Sequence, residues 1–545
     1  MFSWLESKPD HPMFNAAEAK RLLGELPKDE PLKALEEVTA WLDSFKGTPG
    51  FPLDSRLAVA MLLDESGQLR HAELLRRYLE APHLQDFHGM RWWHAMHAFC
   101  KVLAETYALC VSEYHRENRP PVEIRERMAM IYVRLLRAVA ERMKLELMRY
   151  LDVEPGVWEE LYRHYWLAES DHCADSMVLP YAGQVIHTSP QRELLRALAL
   201  FLSSTSTLAP HQIEVSFRIA ARMVSFFEFG PEPAADRPYF IDLAHPMLPG
   251  RAGNEPQVTP EMRFFGIARA IPRLEEIVRQ NEQGLLGEER RFGNEFTPDG
   301  KLTVLKHLEH YWGAGQDARH QERRGISTEI EVVHGFDAVS RLVAHIELDQ
   351  VVGFSEAEVG MLKQRSGIGL AQVKENYAAE SWPVQDMSNS GLGAVLPQAA
   401  GNWVRVGMVC GLKAKHAGLW WVGMIRRLHT DSHSKVHVGI EILTKKPLAV
   451  WLRALGRGAE KASNWATSSG SFAYDYLPVI LLPEVHNSQA SPIMLMPSGS
   501  YVPDAIFEAM MGEQSRNIRL TQLLAEGDDY EQVRFEWLEA GQEPA

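Results

Sequence analysis

The spacing of apolar residues changes once along this 545-residue chain, and that change limits the folds open to it. From Asn15 to about Phe229 apolar side chains recur at helical intervals, as in Leu22, Leu23 and Leu26, or Leu35, Val38, Leu42 and Phe45. Asn15 is placed to cap the first helix, and Pro31 stands where a first helical turn tolerates a missing N–H. After Gly325 the period shortens to two: Val436, Val438, Ile440 and Ile442 alternate with His437, Gly439 and Glu441. One period buries a stripe of a helix and the other buries one face of a sheet, so the two parts need different layer architectures. The expectation is an α+β chain: an all-α N-terminal half built as a bundle or an array of helix pairs, then an antiparallel β-barrel, then a further small β-rich unit.

Within the helical half the pattern predicts helices near Leu57–Leu63, Leu69–Leu79, His88–Tyr114, Val122–Leu151, Pro155–Ala168 and Pro190–Leu202, with short connections that imply antiparallel neighbours. Trp158, Leu161, Tyr165 and Ala168 fit the first helix of a tetratricopeptide unit once, without a second copy at a fixed period. Gly230-Pro231-Glu232-Pro233 and the polar stretch 248–258 mark a boundary, with a strand at Tyr239–Leu243 and helices at Glu261–Leu286 and Leu302–Trp312. The expected layout is therefore 1–229 all-α, 230–316 a mainly helical connection, 317–455 the barrel, and 456–545 the β-rich C-terminal unit. Barrel strands are expected at Ser327–Val333, Val404–Val406, Leu419–Ile425 and Val436–Ile442, with a helix at Leu448–Leu455 closing the barrel. Residues 336–379 look like an insertion, with Ser355 capping a helix and a second apolar run at Leu362–Val373. Later strand signals fall at Leu477–Leu482, Ile493–Met496, Ile518–Leu523 and Val533–Trp537.

Two half-motifs frame the start of the barrel. Arg319 and Arg323 are spaced Arg-x-x-x-Arg, and Asp386-Met387-Ser388-Asn389-Ser390-Gly391 reads Asp-x-Ser-x-x-Gly. A guanidinium grips phosphate bidentately and can also lie flat on a purine. A carboxylate accepts from the N–H donors of a guanine edge, a serine hydroxyl assists beside it, and glycine permits close approach to the backbone. In this order, ahead of a strand Val438-Gly439-Ile440-Glu441, the two half-motifs resemble the PilZ domain, a bacterial receptor module for cyclic di-GMP. The resemblance covers the middle-to-late third of the chain and implies that Arg319 and Arg323 wrap the ligand while Asp386, Ser388 and Gly391 stand on the barrel surface against a guanine. Arg324 is a further candidate for the clamp. The long insertion departs from the family pattern, which has one strand and a turn between the half-motifs.

A net charge of -15 argues against binding to bulk nucleic acid or to anionic lipid. The basic island Lys413, Lys415, His416, Arg426, Arg427, His429 and Lys435 is either a solvated strand face or a field that draws in a nucleotide anion. Cys100, Cys110, Cys173 and Cys410 lack the spacing of a disulfide framework or a zinc site, and the start lacks a signal sequence, so the expectation is a cytoplasmic protein without membrane insertion. His94 and His97, and the group of His164, Asp171, His172, Cys173 and Asp175, read as ordinary helix-surface or core residues rather than metal ligands, and Trp92-Trp93 as a helix contact. Signatures of phosphate loops, nucleophile elbows or zinc hydrolases are not found, and no enzyme, cofactor or metal is expected.

Two functions fit this reading. The first is a cytoplasmic receptor in which the barrel binds cyclic di-GMP and the helical half passes that state to a protein partner. The alternative is a non-enzymatic scaffold or chaperone-like protein whose barrel no longer binds nucleotide. What separates them is whether the insertion covers Asp386 and Ser388.

Overall fold

The computed structural model describes residues 11–80, 87–117, 119–253, 258–283, 292–313, 324–350, 379–396, 403–414, 419–455, 476–483, 492–511 and 514–538. The chain forms two compact units, Met1–Ala318 and Arg319–Ala545. Among the described residues no helix is long and apolar enough to cross a membrane.

The first unit is organised around one helix. Helices α1 (Ala16–Gly24), α2 (Pro31–Gly47), α3 (Leu53–Glu80) and α4 (Phe87–Arg116) precede the short α5 (Val122–Arg125) and the central α6 (Met128–Met148). They are followed by α7 (Pro155–Ser170), α8 (Pro190–Phe201) and α9 (Pro210–Met223). Asn15 does cap α1, its side chain accepting from the Glu18 N–H at 2.9 Å. The two helices expected between Leu57 and Leu79 are one, α3, because nothing in Asp64-Glu65-Ser66-Gly67 breaks the periodicity: Gly67 has no side chain where the Phe99 ring of α4 approaches, 2.3 Å from the position a Cβ would take. Helix α6 is buried on nearly every side, including Arg134, Arg142, Lys144 and Glu146. These charges are tolerated because each is partnered. Arg134 reaches Asp64 at 3.3 Å and Glu65 at 2.9 Å, Arg142 reaches Glu154 at 2.9 Å and Glu160 at 3.2 Å, and Lys144 reaches Glu214 at 2.6 Å. Trp93 donates from Nε1 to the Leu145 carbonyl at 2.7 Å, tying α4 to α6.

The segment after Phe229 carries a sheet as well as helices. Strands β1 (Glu228–Gly230), β2 (Tyr239–Asp242), β3 (Gly250–Arg251) and β4 (Met262–Gly266) run in the order β1-β4-β2-β3, followed by α10 (Ile271–Glu282) and α11 (Pro298–Trp312). Met262–Gly266, expected as the start of a helix, is thus a strand: Phe264 and Phe265 pair with Phe240 and Tyr239, and α10 begins only after it. The Pro/Gly stretches expected to mark a boundary lie inside the first unit. Tyr239, Ile241 and Phe265 belong to the same apolar core as the helices, Tyr162 donates to the Met247 carbonyl at 2.9 Å, and Arg263 pairs with Glu169.

The second unit contains two closed six-stranded antiparallel barrels. The first joins β5 (Arg324–His334), β6 (Glu380–Met387), β7 (Gly391–Leu396), β8 (Val409–Ala414), β9 (Trp421–Thr430) and β10 (Val436–Thr444) in the order β10-β7-β6-β5-β8-β9. The second joins β11 (Leu448–Leu455), β12 (Leu477–Leu482), β13 (Ile493–Pro497), β14 (Ile506–Met511), β15 (Gln514–Glu526) and β16 (Tyr530–Trp537) in the order β11-β12-β13-β16-β15-β14. Two expectations need correction. Leu448–Leu455 is not a closing helix; it pairs with both β12 and β14 and opens the second barrel. Val404–Val406 is irregular chain, and the strand starts at Val409, where pairing to β5 and β9 is available.

Helix α12 (Phe336–Gln350) is the described part of the insertion; the helices expected at 354–359 and 362–373 lie outside the described residues. Gly335, at φ +86°, turns the chain out of β5 into α12. The helix packs on β5 and β8 of one barrel and on β11 and β12 of the other. Its Phe336, Val339 and Val343 share one core with Val409, Val422 and Met424 on one side and with Ala449, Ile480, Leu495 and Tyr530 on the other. Asp529 of the second barrel accepts from the Phe336 N–H at 2.7 Å, capping the helix across the junction.

Candidate functional site

The Asp-x-Ser-x-x-Gly segment forms the end of β6, a tight turn and the start of β7. The Ser388 N–H donates to the Gly391 carbonyl at 2.8 Å, and the Ser388 hydroxyl donates to the same oxygen at 3.2 Å, so the turn is closed twice. Gly391 pairs with Glu441 of β10; its φ is not left-handed, and what requires glycine is proximity. A Cβ there would stand 2.8 Å from the Ile440 carbonyl oxygen, a backbone atom that cannot move aside.

Asp386 reaches the outside of the barrel through an irregularity. Trp382 and Val384 point into the core, and strict alternation would send residue 386 the same way. Val384 pairs with Ala394, however, while Asp386 pairs with Gly393, so Gln385 is an extra residue in β6. Such a bulge re-aims the side chains beyond it. The consequence is that Asp386 stands on the outer face with Gly393, whose neighbours Leu392 and Ala394 are buried. Its carboxylate lies across the Gly393 backbone, with Oδ1 2.8 Å from the position a Cβ would take.

The same row continues over bare backbone. Gly393 pairs with Gly439 of β10, and Gly439 with Arg427 of β9, so the outer face reads Asp386, Gly393, Gly439, Arg427 across four strands. The two glycines add no side chains of their own; the Asp386 carboxylate lies over Gly393, which leaves the Gly439 backbone, one strand about 4.8 Å further on, bare between the acid and Arg427. Arg427 is exposed and makes no ion pair among the described residues. Beside this row lie the Arg426–Glu441 pair at 2.6 Å and His437, which pairs with Asp431 at 2.9 Å and faces His429 at 5.7 Å between ring centroids. The Asp431 carboxyl is held down at about 2 by the His437 hydrogen bond and the Lys435 and His433 N–H groups, so it is ionised at neutral pH.

Of the residues singled out in the sequence, Asp386, Ser388 and Gly391 are brought together, with Asp386 alone of the three reaching onto the glycine floor. Arg319 and Arg323 lie outside the described residues, and of Arg324 only the backbone is described, as the first residue of β5 opposite Met387. Gly325 is opposite Asp386, so the start of β5 lies beside it. Of the basic island, Arg426 is paired with Glu441 and Lys413 lies 3.8 Å from Glu331, while Lys415 and His416 lie outside the described residues. Gly393 and Gly439 were not singled out as site residues, since only the register puts them side by side.

Two of the histidines weighed as metal ligands, His97 and His164, are engaged otherwise. His97 Nε2 is 3.0 Å from Glu146 and its ring stacks on Trp93; His164 hydrogen-bonds the Glu160 carbonyl at 2.7 Å, and burial lowers its pKa to about 4.

Residues 17–233 match the family model described as the N-terminal domain of the cyclic-di-GMP receptor FimW, and residues 466–538 match the one described as the FimW C-terminal beta-barrel domain. The matched stretches are thus most of the helical unit and most of the second barrel, and they flank the first barrel. No curated protein and no solved structure matches the chain.

Proposed function

We propose that this chain, whose two ends resemble domains of the cyclic-di-GMP receptor FimW, is itself a cyclic di-GMP receptor and that its first barrel is a PilZ-like domain holding the ligand. The observation that carries the reading is the row Asp386, Gly393, Gly439, Arg427, which offers a carboxylate acceptor, a flat floor and a cation. A guanine laid on the Gly439 backbone presents its N–H edge to Asp386, whose carboxylate lies over Gly393, and a phosphate finds Arg427 beyond it. Arg319 and Arg323, with Arg324 assisting, close over the ligand from the chain that enters β5, and Ser388 and Gly391 keep the turn beside Asp386 in place. Charge-assisted bonds of this type contribute about 1.5 to 3 kcal/mol each.

The route from ligand to output follows from covalent order. Strand β5 begins next to Asp386 and ends at Gly335, about 30 Å away at 3.3 Å per residue, where α12 starts. The described part of the insertion therefore joins the two barrels rather than lying over the glycine floor, which favours the receptor over the scaffold reading. A ligand held by Arg319 and Arg323 biases β5 at one end, and α12 and the second barrel feel that bias at the other; the shift available equals the difference in affinity between the two states. The helical unit is the surface for a protein partner, in the cytoplasm. Titration of the full chain with cyclic di-GMP, parent beside Arg319→Ala and Arg323→Ala, tests the reading.

A further inference from the structure

In the helical unit, away from the barrels, three donor groups from three helices gather around one indole. Trp93, near the start of α4, is buried. Arg149, the residue that follows α6, lays its guanidinium over the Trp93 ring, with Cζ 4.9 Å from the centroid. His94 meets the same indole edge-on, at 5.0 Å between ring centroids. Tyr78, in the last turn of α3, is close enough to Arg149 for each to act on the ionisation of the other. Tyr150 turns the chain at φ +58° and donates to the Leu208 carbonyl at 3.1 Å, which fixes the backbone that carries Arg149.

The cluster has no counter-charge. Elsewhere in this unit arginines between helices meet carboxylates, as Arg56 meets Glu113, Arg134 meets Asp64 and Glu65, and Arg137 meets Glu193. Arg149 is half-buried, and among the described residues it has the Trp93 ring against it but no ion pair. Burial pulls its pKa down, and the group that opposes this is the Tyr78 phenol, not a carboxylate. His94 is exposed; partial burial, then Arg149 and His97, hold its pKa below the ordinary value, again with no acid among the causes. Glu146, which His97 reaches at 3.0 Å, is already shared with Arg142 at 3.3 Å. Tyr78 is only 1% exposed, yet its hydroxyl has no hydrogen-bond partner among the described residues. A desolvated cation without an anion and a buried hydroxyl without an acceptor both cost free energy, and one bound oxyanion relieves the two together.

The directions of the donors select the shape of that anion. A carboxylate has two oxygens in one plane, and the fork of a guanidinium occupies both. Here a hydroxyl and an imidazole approach from other helices, so a tetrahedral group suits the cluster better: two oxygens meet the guanidinium, a third accepts from Tyr78, and the remaining side faces the exposed His94. The indole beneath Arg149 fixes the plane of the fork.

We propose that Arg149, Tyr78 and His94 form an anion site in the helical unit that takes a phosphoryl group, free or as a small ester. The inference does not rest on the barrel binding cyclic di-GMP. Inorganic phosphate, O-phosphoserine and serine, titrated into the full chain by calorimetry at constant ionic strength, are the probes. The two phosphates are expected to bind saturably and serine not to bind; the tighter of the two distinguishes the free anion from an ester as the occupant. Arg149→Met keeps a side chain on the indole without the charge and should weaken phosphate about tenfold or more. Arg149→Lys, which keeps the charge and loses the fork, should retain part of the affinity. Tyr78→Phe removes one hydroxyl and keeps the ring in the core, so it should weaken phosphate several-fold, and it decides the matter if Arg149→Met alters the fold. Arg323→Ala should leave phosphate affinity unchanged. No binding by the folded parent up to about 10 mM phosphate, affinity that survives both Arg149→Met and Tyr78→Phe, or affinity that falls with Arg323→Ala instead would each overturn the proposal.

Discussion

Asp386 and Gly393 face each other on adjacent strands, and the carboxylate of the first occupies the space a side chain on the second would need, with Oδ1 2.8 Å and Oδ2 3.1 Å from the Cβ position. The acid is held against the barrel surface because its neighbour is glycine.

Gly393→Ala should therefore act on the ligand rather than on the fold. The added methyl group meets the end of a movable side chain, so Asp386 swings out and the barrel stays folded. Cyclic di-GMP affinity should fall about tenfold, the loss of one good charge-assisted contact, with the melting temperature within a few degrees of the parent. Gly391→Ala should behave oppositely, because its Cβ meets the Ile440 backbone carbonyl at 2.8 Å and the strand must shift. Thermal melts and binding isotherms of the two variants, side by side, separate these effects; equal behaviour would refute the distinction.

Arg427→Ala is expected to weaken cyclic di-GMP several-fold and to lower the salt dependence of binding, since one phosphate-facing charge is removed. Isotherms at two salt concentrations provide the check. Arg426→Ala, which breaks only the exposed pair with Glu441, should change affinity little.

How much of this was legible beforehand depends on the kind of signal. The division into helical and β-rich parts follows from periodicity, and Asn15, Leu477–Leu482 and Val436–Ile442 behave as their local sequence predicts. Leu448–Leu455 misled because Ala449, Val450 and Leu452 are apolar at spacings a helix and a strand share, and only pairing with β12 and β14 decides between them. Met262–Gly266 was absorbed into a helical pattern because a five-residue strand gives too short a run to outweigh the apolar residues after it. The glycine floor needs the register of three strand pairs and a bulge at Gln385, none of which is a property of one short window.

The junction between the barrels depends on the first turn of α12. Asp529→Ala removes the acceptor for the Phe336 N–H and should cost about 0.5 to 2 kcal/mol, as loss of an N-cap does. Val339→Asp, fully buried between the barrels, should cost more and uncouple them. In calorimetric scans of the full chain, the β-rich unit of the parent is expected to melt in one transition and that of Val339→Asp in two. A single unchanged transition in the variant would contradict the role given to α12.

Acid should weaken the helical unit in two steps. Burial lowers the pKa of His71 to about 4, so it is neutral in the fold and the unfolded chain binds a proton that the folded chain does not as pH falls below about 6.5. That alone removes about 3 kcal/mol between pH 6.5 and 4. Burial pulls the Glu214 pKa up, but the Lys144 and Arg218 charges outweigh it and hold it at about 2. Its contribution is present above the ordinary carboxylate range and is lost as pH drops from about 4.5 toward 2. Urea unfolding followed by the helical circular dichroism signal should show the first decline already at pH 5, reduced in His71→Gln; stability that stays flat from pH 7 to 5 would contradict it.

The central claim is that the first barrel binds cyclic di-GMP through Asp386 and the arginine pair, and isothermal titration of the purified full-length protein tests it most directly. Saturable binding is expected, weakening at least tenfold in Arg319→Ala and in Arg323→Ala with melting temperatures unchanged, with a preference for guanine over adenine dinucleotide that shrinks in Asp386→Ala. Binding unaltered in all three variants, or no binding by the folded parent protein, would contradict it.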